Sequence, residues 1–200
     1  MKDKDNRDSL SNSFRGGYSE SPSETINKES LDSFNFRFSD IYVDDIVNGE
    51  GVGVVLFTQF CSHMCKGCHN SSTWSKNGGK KFTQDSFDFI FDYFKDTPYA
   101  SRLTLSGGDP LENLQLSNYV ASEFKRIYPN KQLWVYTGYT YEQIKDEIKY
   151  MPILELCDVL VDGKFELDKR DIKLKYKGSS NQRVIDVQES LKQNKVILYN

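Results

Sequence analysis

GVGVVLFTQFCSHMCKGCH, residues 51–69, joins two kinds of sequence without a break. GVGVVLFT (51–58) is a short apolar, β-branched run with the length and composition of a buried strand. Its end feeds into a loop holding Cys61, Cys65 and Cys68, spaced C-x3-C-x2-C and followed at once by His69. Strand-then-loop recurs downstream. KFTQDSFDFIFDYFK (81–95) carries Phe87, Ile90, Phe91 and Phe94 at i, i+3, i+4 and i+7, an amphipathic helix with Thr83 as its N-cap. RLTLS (102–106) reads as a second strand and SGGDP (106–110) as a turn. NLQLSNYVASEFKRIY (113–128) is a second helix with Leu116, Val120, Phe124 and Ile127 on one face, stopped by Pro129 and Asn130. QLWVYT (132–137) is a third strand, ended by Gly138. TYEQIKDEIKY (140–150) is a shorter, more polar helix. LCDVLVD (156–162) is a fourth strand before Gly163, QRVIDV (182–187) a fifth, and KVILY (195–199) a short terminal one.

This alternation predicts an α/β fold with a mostly parallel sheet. Right-handed crossovers place every strand-to-helix loop on the same side. The cysteine loop, SGGDP, YTGY (136–139) and VDGK (161–164) each follow the C-terminal end of a different strand. Active sites of parallel α/β proteins form at that face. A full eight-unit barrel takes about 250 residues. This core supports roughly five βα units, so a partial, open β/α barrel is expected.

Composition bounds the rest. Residues 1–33 are Ser, Asn, Asp, Glu and Lys with few apolar residues. Such a segment cannot bury enough surface to offset its ordering entropy, and a disordered N-terminal tail is expected there. Residues 34–200 form one domain. The net charge of −3 speaks against a general nucleic-acid binder. VVLF (54–57), the longest apolar run near the cysteines, is far too short for a membrane span. The N-terminus lacks the apolar core of a signal peptide. Three of the four cysteines sit together, unlike a disulfide framework. A cytoplasmic, reducing setting follows.

Clustered thiols in a reducing compartment bind metal. A structural zinc wants four protein ligands and usually draws two pairs from separated segments. Here Cys61, Cys65, Cys68 and the candidate histidines, His63 and His69, lie within nine residues. An iron–sulfur cubane fits better, because a tight loop can ligate three of its four irons. The fourth cysteine, Cys157, falls in the 156–162 strand and reads as a small buried hydrophobe. His63 reads as a solvent-facing loop residue. One iron is then left without a protein ligand, and an open position on a metal is where a substrate or cofactor binds. Zinc stays open as the rival ion at this point.

The C-x3-C-x2-C loop, with SGGDP one βα unit later, resembles the radical S-adenosylmethionine (SAM) superfamily. VVLFTQFCSHMCKGCHNSSTW, LTLSGGDPL, LWVYTGYTYE, DVLVDGKF and KGSSNQRVID narrow the likeness. Their order, from about residue 47 to 187, is similar to that of the activating proteins of anaerobic (class III) ribonucleotide reductase. The resemblance implies a [4Fe-4S] cluster held by Cys61, Cys65 and Cys68, with SAM on the remaining iron. It implies cleavage of SAM to a 5′-deoxyadenosyl radical and generation of a glycyl radical on the large catalytic subunit of the reductase. It also implies an electron donor, which is unidentified. By the same resemblance Gly67, Cys68 and His69 line the adenine, and Gly107 and Gly108 meet the methionyl end. Asp109 accepts from the amino group, and Tyr136, Thr137 and Gly138 border the cofactor. Asp162, Gly163 and Lys164 belong to the same face. Ser179, Ser180, Asn181 and Gln182 match a family motif without an evident physical role. The chain departs from its relatives at Gly53, where an arginine often stands. Three other readings remain: an activator of another glycyl radical enzyme of the formate-lyase type, a small radical SAM synthase, and a zinc-stabilised binding module.

Overall fold

The computed structural model describes residues 28–200. Seven strands form one sheet: Arg37–Asp45 (β1), Gly53–Thr58 (β2), Lys80–Lys81 (β3), Arg102–Gly107 (β4), Gln132–Tyr136 (β5), Val159–Asp162 (β6) and Arg183–Asp186 (β7). Their spatial order is β3-β1-β2-β4-β5-β6-β7. β2, β4, β5 and β6 are parallel to their neighbours in this block. β1 and β3 on one side, and β7 on the other, are antiparallel. The fold is thus mixed α/β, parallel in the middle only. β3 and β7 are the two edges of the sheet. The expected fifth parallel unit is corrected: β6 reaches β7 through a loop rather than a helical crossover, and a strand returning that way runs antiparallel.

The parallel strands are apolar nearly throughout because both faces are covered. Val54 and Leu56 of β2 point to one face with Leu103, Leu105, Leu133, Val135 and Leu160. Gln84–Asp96 (α1) and Leu114–Ile127 (α2) pack there. α1 buries Phe87, Ile90, Phe91 and Phe94, the four residues its period predicts. Each contributes about 1.5–3 kcal/mol of burial. α2 buries Leu116, Val120 and Phe124. Ile127 does not join them and is 40% exposed, because it lies in the last turn beyond the sheet's reach. The opposite face holds Trp134, Val159 and Val161, covered by Tyr176, Val184 and Tyr199.

Five further features differ from expectation. The 140–150 helix breaks into Tyr141–Ile144 (α3) and a 3-10 turn, Ile148–Tyr150. A separate helix, Met151–Leu156 (α4), follows, with Pro152 in its first turn, where a missing N–H costs nothing. β6 therefore starts at Val159, and Cys157 lies in the turn before it, fully buried. KVILY makes one bridge, Leu198 to Ile185, rather than a strand. A last helix, Val187–Gln193 (α5), is capped by Asp186, whose side chain accepts from Glu189 N–H.

Of the 33 residues expected as a tail, 1–27 lie outside the described residues. The rest form a 3-10 turn, Lys28–Ser33, with Leu31 fully buried in the helix-side core.

Arg183 of β7 ties the sheet edge to α3. It donates to both oxygens of Glu142, at 2.9 and 2.7 Å, and to Asp162 Oδ1 at 3.0 Å. The guanidinium holds the Glu142 carboxyl at about 2, against an ordinary 4.5. A depressed carboxylate stabilises the fold above its unfolded value and loses that contribution as pH falls. Stability is therefore expected to drop as pH falls from about 4.5 towards 2. Arg183→Ala should flatten that step, as read by thermal melts at pH 5 and pH 2.5; an unchanged step would assign it to other groups.

Candidate active site

The parallel register puts the ends of β2, β4, β5 and β6 side by side, and each end opens into one of the singled-out loops. After β2, Gln59 and Phe60 lead into the cysteines. Phe60 and Met64 hold positive φ, 83° and 48°. Such backbone costs about 1–3 kcal/mol per residue and persists where the surroundings impose it. The surroundings here are hydrogen bonds between loops. Gly108 N–H donates to Thr58 O at 2.8 Å, and Asp109 N–H to Phe60 O at 2.8 Å. Thr137 N–H donates to Val161 O at 2.9 Å, and Gly163 N–H to Tyr139 O at 3.0 Å. The four loops are laced together at one end of the sheet.

The turn after β4 demands its glycines. Gly107 has φ +99°, and a Cβ there would lie 2.6 Å from Phe57 Cα. A Cβ on Gly108 would collide with the backbone of Phe60. The cysteine loop rests directly on this turn, and only glycine allows the approach.

Cys61, Cys65 and Cys68 are free thiols, each partly exposed. Cys68 N–H donates to Cys65 O at 3.0 Å, which folds the second half of the loop. Burial pushes the Cys61 thiol up to about 11, and the Asp109 and Glu112 carboxylates add to the rise. Burial also raises Cys65, while the Phe165 backbone and the Lys164 ammonium act against it. Only the thiolate ligates, so a metal bound here must displace these protons, and its binding is pH-dependent. Among the described residues no three His, Cys, Asp or Glu side chains are gathered closely enough to share one ion. Three free thiols on one short loop are the soft donor set that an iron–sulfur cluster takes, so the residues present fit such a cluster.

Cys157 is at the opposite end of the sheet. It lies before β6, whereas the cysteine loop follows the far end of β2. Its thiol donates to Val159 O at 3.2 Å and is fully buried. Reaching the loop would require unfolding, so three cysteines are available there.

Asp109 is at the centre of the loops and 1% exposed. Oδ1 accepts from Leu111 N–H at 2.9 Å, and Oδ2 from Gly138 N–H at 2.9 Å. Thr137 Oγ1 reaches both oxygens, at 3.0 and 2.9 Å. His63 corrects its expected position: its side chain is 7% exposed, with Nε2 2.8 Å from Asp109 Oδ2. Glu112, which the sequence did not single out, accepts from Ser62 N–H and Ser62 Oγ and from Tyr139 Oη at 3.2 Å. Its place three residues after Asp109 in DPLE was the available signal.

The other predicted residues are placed as follows. Gly67 and His69 are exposed on the loop, and Leu167 packs over Gly67, 2.9 Å from where a Cβ would stand. Tyr136 is part of the sheet face away from the helices, and its hydroxyl donates to Tyr176 O at 2.8 Å. Asp162 is buried beneath Arg183 and accepts from Tyr141 N–H at 2.8 Å. The 179–182 motif acquires a physical role. Gln182 Oε1 accepts from Gly178 N–H at 2.9 Å and Ser179 N–H at 3.1 Å, while its Nε2 donates to Gly163 O at 2.9 Å. Asn181 Nδ2 donates to Lys164 O at 2.8 Å, and Ser179 Oγ accepts from Glu166 N–H at 3.2 Å. The motif staples shut the loop that lies across Cys65 and Gly67. Gln182→Leu strips these partners, at about 1–3 kcal/mol for each buried group left unpaired. Faster tryptic cleavage at Lys169, Arg170, Lys173, Lys175 and Lys177 is the expected result; unchanged cleavage would mean the loop is held otherwise.

A family model described as a 4Fe-4S single cluster domain matches residues 47–185. The chain is 44% identical over 144 residues to the protein of Pasteurella multocida (strain Pm70) named anaerobic ribonucleoside-triphosphate reductase-activating protein, covering 70% of this chain and 91% of that one. The Vibrio cholerae (serotype O1, strain ATCC 39315 / El Tor Inaba N16961) protein of the same name is 41% identical over 149 residues, 73% of this chain and 95% of that one. The enterobacteria phage T4 protein, also so named, is 39% identical over 150 residues, 74% of this chain and 92% of that one. Among the described residues no helix is long and apolar enough to cross a membrane.

Proposed function

The chain belongs to the family of anaerobic ribonucleoside-triphosphate reductase-activating proteins, and from that premise we propose that it is a radical SAM activase of the reductase's large catalytic subunit. Bound by this loop, a [4Fe-4S] cluster supplies the electron that splits SAM into methionine and a 5′-deoxyadenosyl radical, which takes a hydrogen atom from Cα of one glycine in the partner. The observation that carries the proposal is the trio Cys61, Cys65 and Cys68 on one loop against the Gly107–Gly108 turn, with the fourth cysteine at the other end of the sheet.

Each loop has a role in this reading. Cys61, Cys65 and Cys68 ligate the cluster. Gly67, Cys68 and His69 line the adenine, and Gly107 and Gly108 offer backbone to the methionyl end. Tyr136, Thr137 and Gly138 border the cofactor, with Asp162, Gly163 and Lys164 beyond them. Asp109 stands behind the glycine turn, its oxygens already engaged. In this reading the sheet is a partial, open barrel, and its domain takes in Leu31 ahead of residues 34–200. A primary carbon radical attacks almost any C–H, so the site must exclude water and hold the target by orientation. The partner's glycyl loop completes the pocket. The setting is cytoplasmic, the electron comes from a donor yet to be identified, and neither nucleic acid nor membrane takes part. The relatives' name favours the reductase over a formate-lyase-type partner, and the family description favours iron over zinc.

The test is anaerobic reconstitution, then SAM, a strong reductant and the reductase subunit. The expected result is 5′-deoxyadenosine together with a glycyl radical signal on the partner. 5′-Deoxyadenosine without partner radical would remove the activase reading, and zinc in place of iron and sulfide would remove the chemistry.

A further inference from the structure

His63 lies between the first two cysteines, and nothing in the proposed reaction uses it. Its burial is nevertheless specific. Gly138 lacks the Cβ that would stand 2.6 Å from His63 Nε2, so the imidazole fills the space this glycine leaves. The Tyr139 ring meets the imidazole edge-on, with centroids 4.6 Å apart. A carboxylate only accepts, so the proton of the His63–Asp109 contact is on Nε2.

The carboxylate of Asp109 has room for about four donors. Leu111 N–H, Thr137 Oγ1–H, Gly138 N–H and His63 Nε2–H are four. Two come from the loop after β5 and one from the turn after β4 itself. His63 alone comes from the cysteine loop. Asp109 is therefore a joint between three chain segments.

We infer that His63 is a positioning residue: through Asp109 it fixes the cysteine loop relative to the Gly107–Gly108 turn, and so sets the alignment of SAM against the cluster. The inference rests on the function proposed above. Misplacement by about 1 Å is enough to cost about 100-fold in a reaction that depends on orientation. The hydrogen bond, rather than the ring's bulk, is the element that sets the register, since Gly138 N–H and Thr137 Oγ1–H already hold Asp109 from the other side.

The test uses the reconstituted full chain and two variants. His63→Gln keeps an N–H donor at similar reach; His63→Leu keeps bulk and loses the donor. Iron per chain is measured first. SAM is then titrated into the reduced protein, and the change in the cluster's electron paramagnetic resonance signal is followed. Equal iron is expected in all three proteins. The half-saturating SAM concentration should rise about tenfold in His63→Leu, as for loss of one charge-assisted hydrogen bond, and stay within about threefold of the parent in His63→Gln. A leucine variant that titrates like the parent overturns the inference, as does a glutamine variant as weak as leucine. A leucine variant that takes up no iron also overturns it, giving His63 a role in cluster retention. Absence of any SAM response in the parent protein would instead sink the proposed function.

Discussion

Cys65→Ala is expected to abolish both SAM cleavage and partner radical formation, with iron lost from the reconstituted protein. Cys65 is the middle ligand of three, and no other thiol is within reach of the loop: Cys157 is fully buried before β6 at the far end of the sheet. A cubane left with two protein ligands has two open irons and is exposed to solvent. The paired control is Cys157→Ala. Cys157 is a small member of the apolar core, and its thiol hydrogen-bonds to backbone carbonyls, Leu133 O and Val159 O. Its removal should cost about 1 kcal/mol of stability and leave iron content and both activities intact. Iron analysis, 5′-deoxyadenosine release and the partner radical signal check both variants. Retained iron and turnover in Cys65→Ala would show that the loop is not the cluster's seat.

Gly108→Ala carries the second large effect. The added Cβ would collide with the Phe60 carbonyl oxygen, with Phe60 C 2.8 Å and N 3.0 Å away. These are backbone atoms and cannot swing aside. Relief means parting the turn from the cysteine loop, which breaks Gly108 N–H to Thr58 O and Asp109 N–H to Phe60 O. Overpacking and lost hydrogen bonds together cost about 2–4 kcal/mol. In a chain of this size that lowers the melting temperature by roughly 5–15 °C. SAM cleavage should fall about 100-fold even where the fold survives, because the two halves of the site no longer face each other correctly. Thermal unfolding and 5′-deoxyadenosine formation read the two effects separately. A variant with parental melting and parental rate would contradict the interlocked turn.

What the sequence disclosed, and what it hid, divides by range. The strands β2, β4 and β5 and the helices α1 and α2 follow from local periodicity, and their loops follow from their order. The cysteine spacing is equally local. β1 escaped because a register shift between Phe38 and Asp40 breaks its alternation: Phe38 is buried and, past the bulge, Ile41 and Val43 face the core. α4 escaped because six residues behind a proline carry too short a pattern, and Cys157 was drawn into the following strand with it. His63 was misread for a different reason. Its partner is 46 residues away, and no single-sequence period reports a contact of that kind. The same holds for Gln182, whose hydrogen bond to Gly163 O spans 19 residues. The Gly53 departure gains a structural counterpart. A Cβ there would stand 2.5 Å from Cγ of its register partner Arg102, which is fully buried and paired with Asp45 Oδ1 at 2.5 Å.

The whole account depends on three cysteines leaving one iron open to SAM. Mössbauer spectroscopy of oxygen-free, reconstituted protein, recorded before and after SAM addition, addresses that iron directly. The account predicts one iron whose parameters change on SAM binding, equally in the parent and in Cys157→Ala. Four irons indifferent to SAM, or a unique iron that appears only when Cys157 or a histidine is replaced, would contradict it.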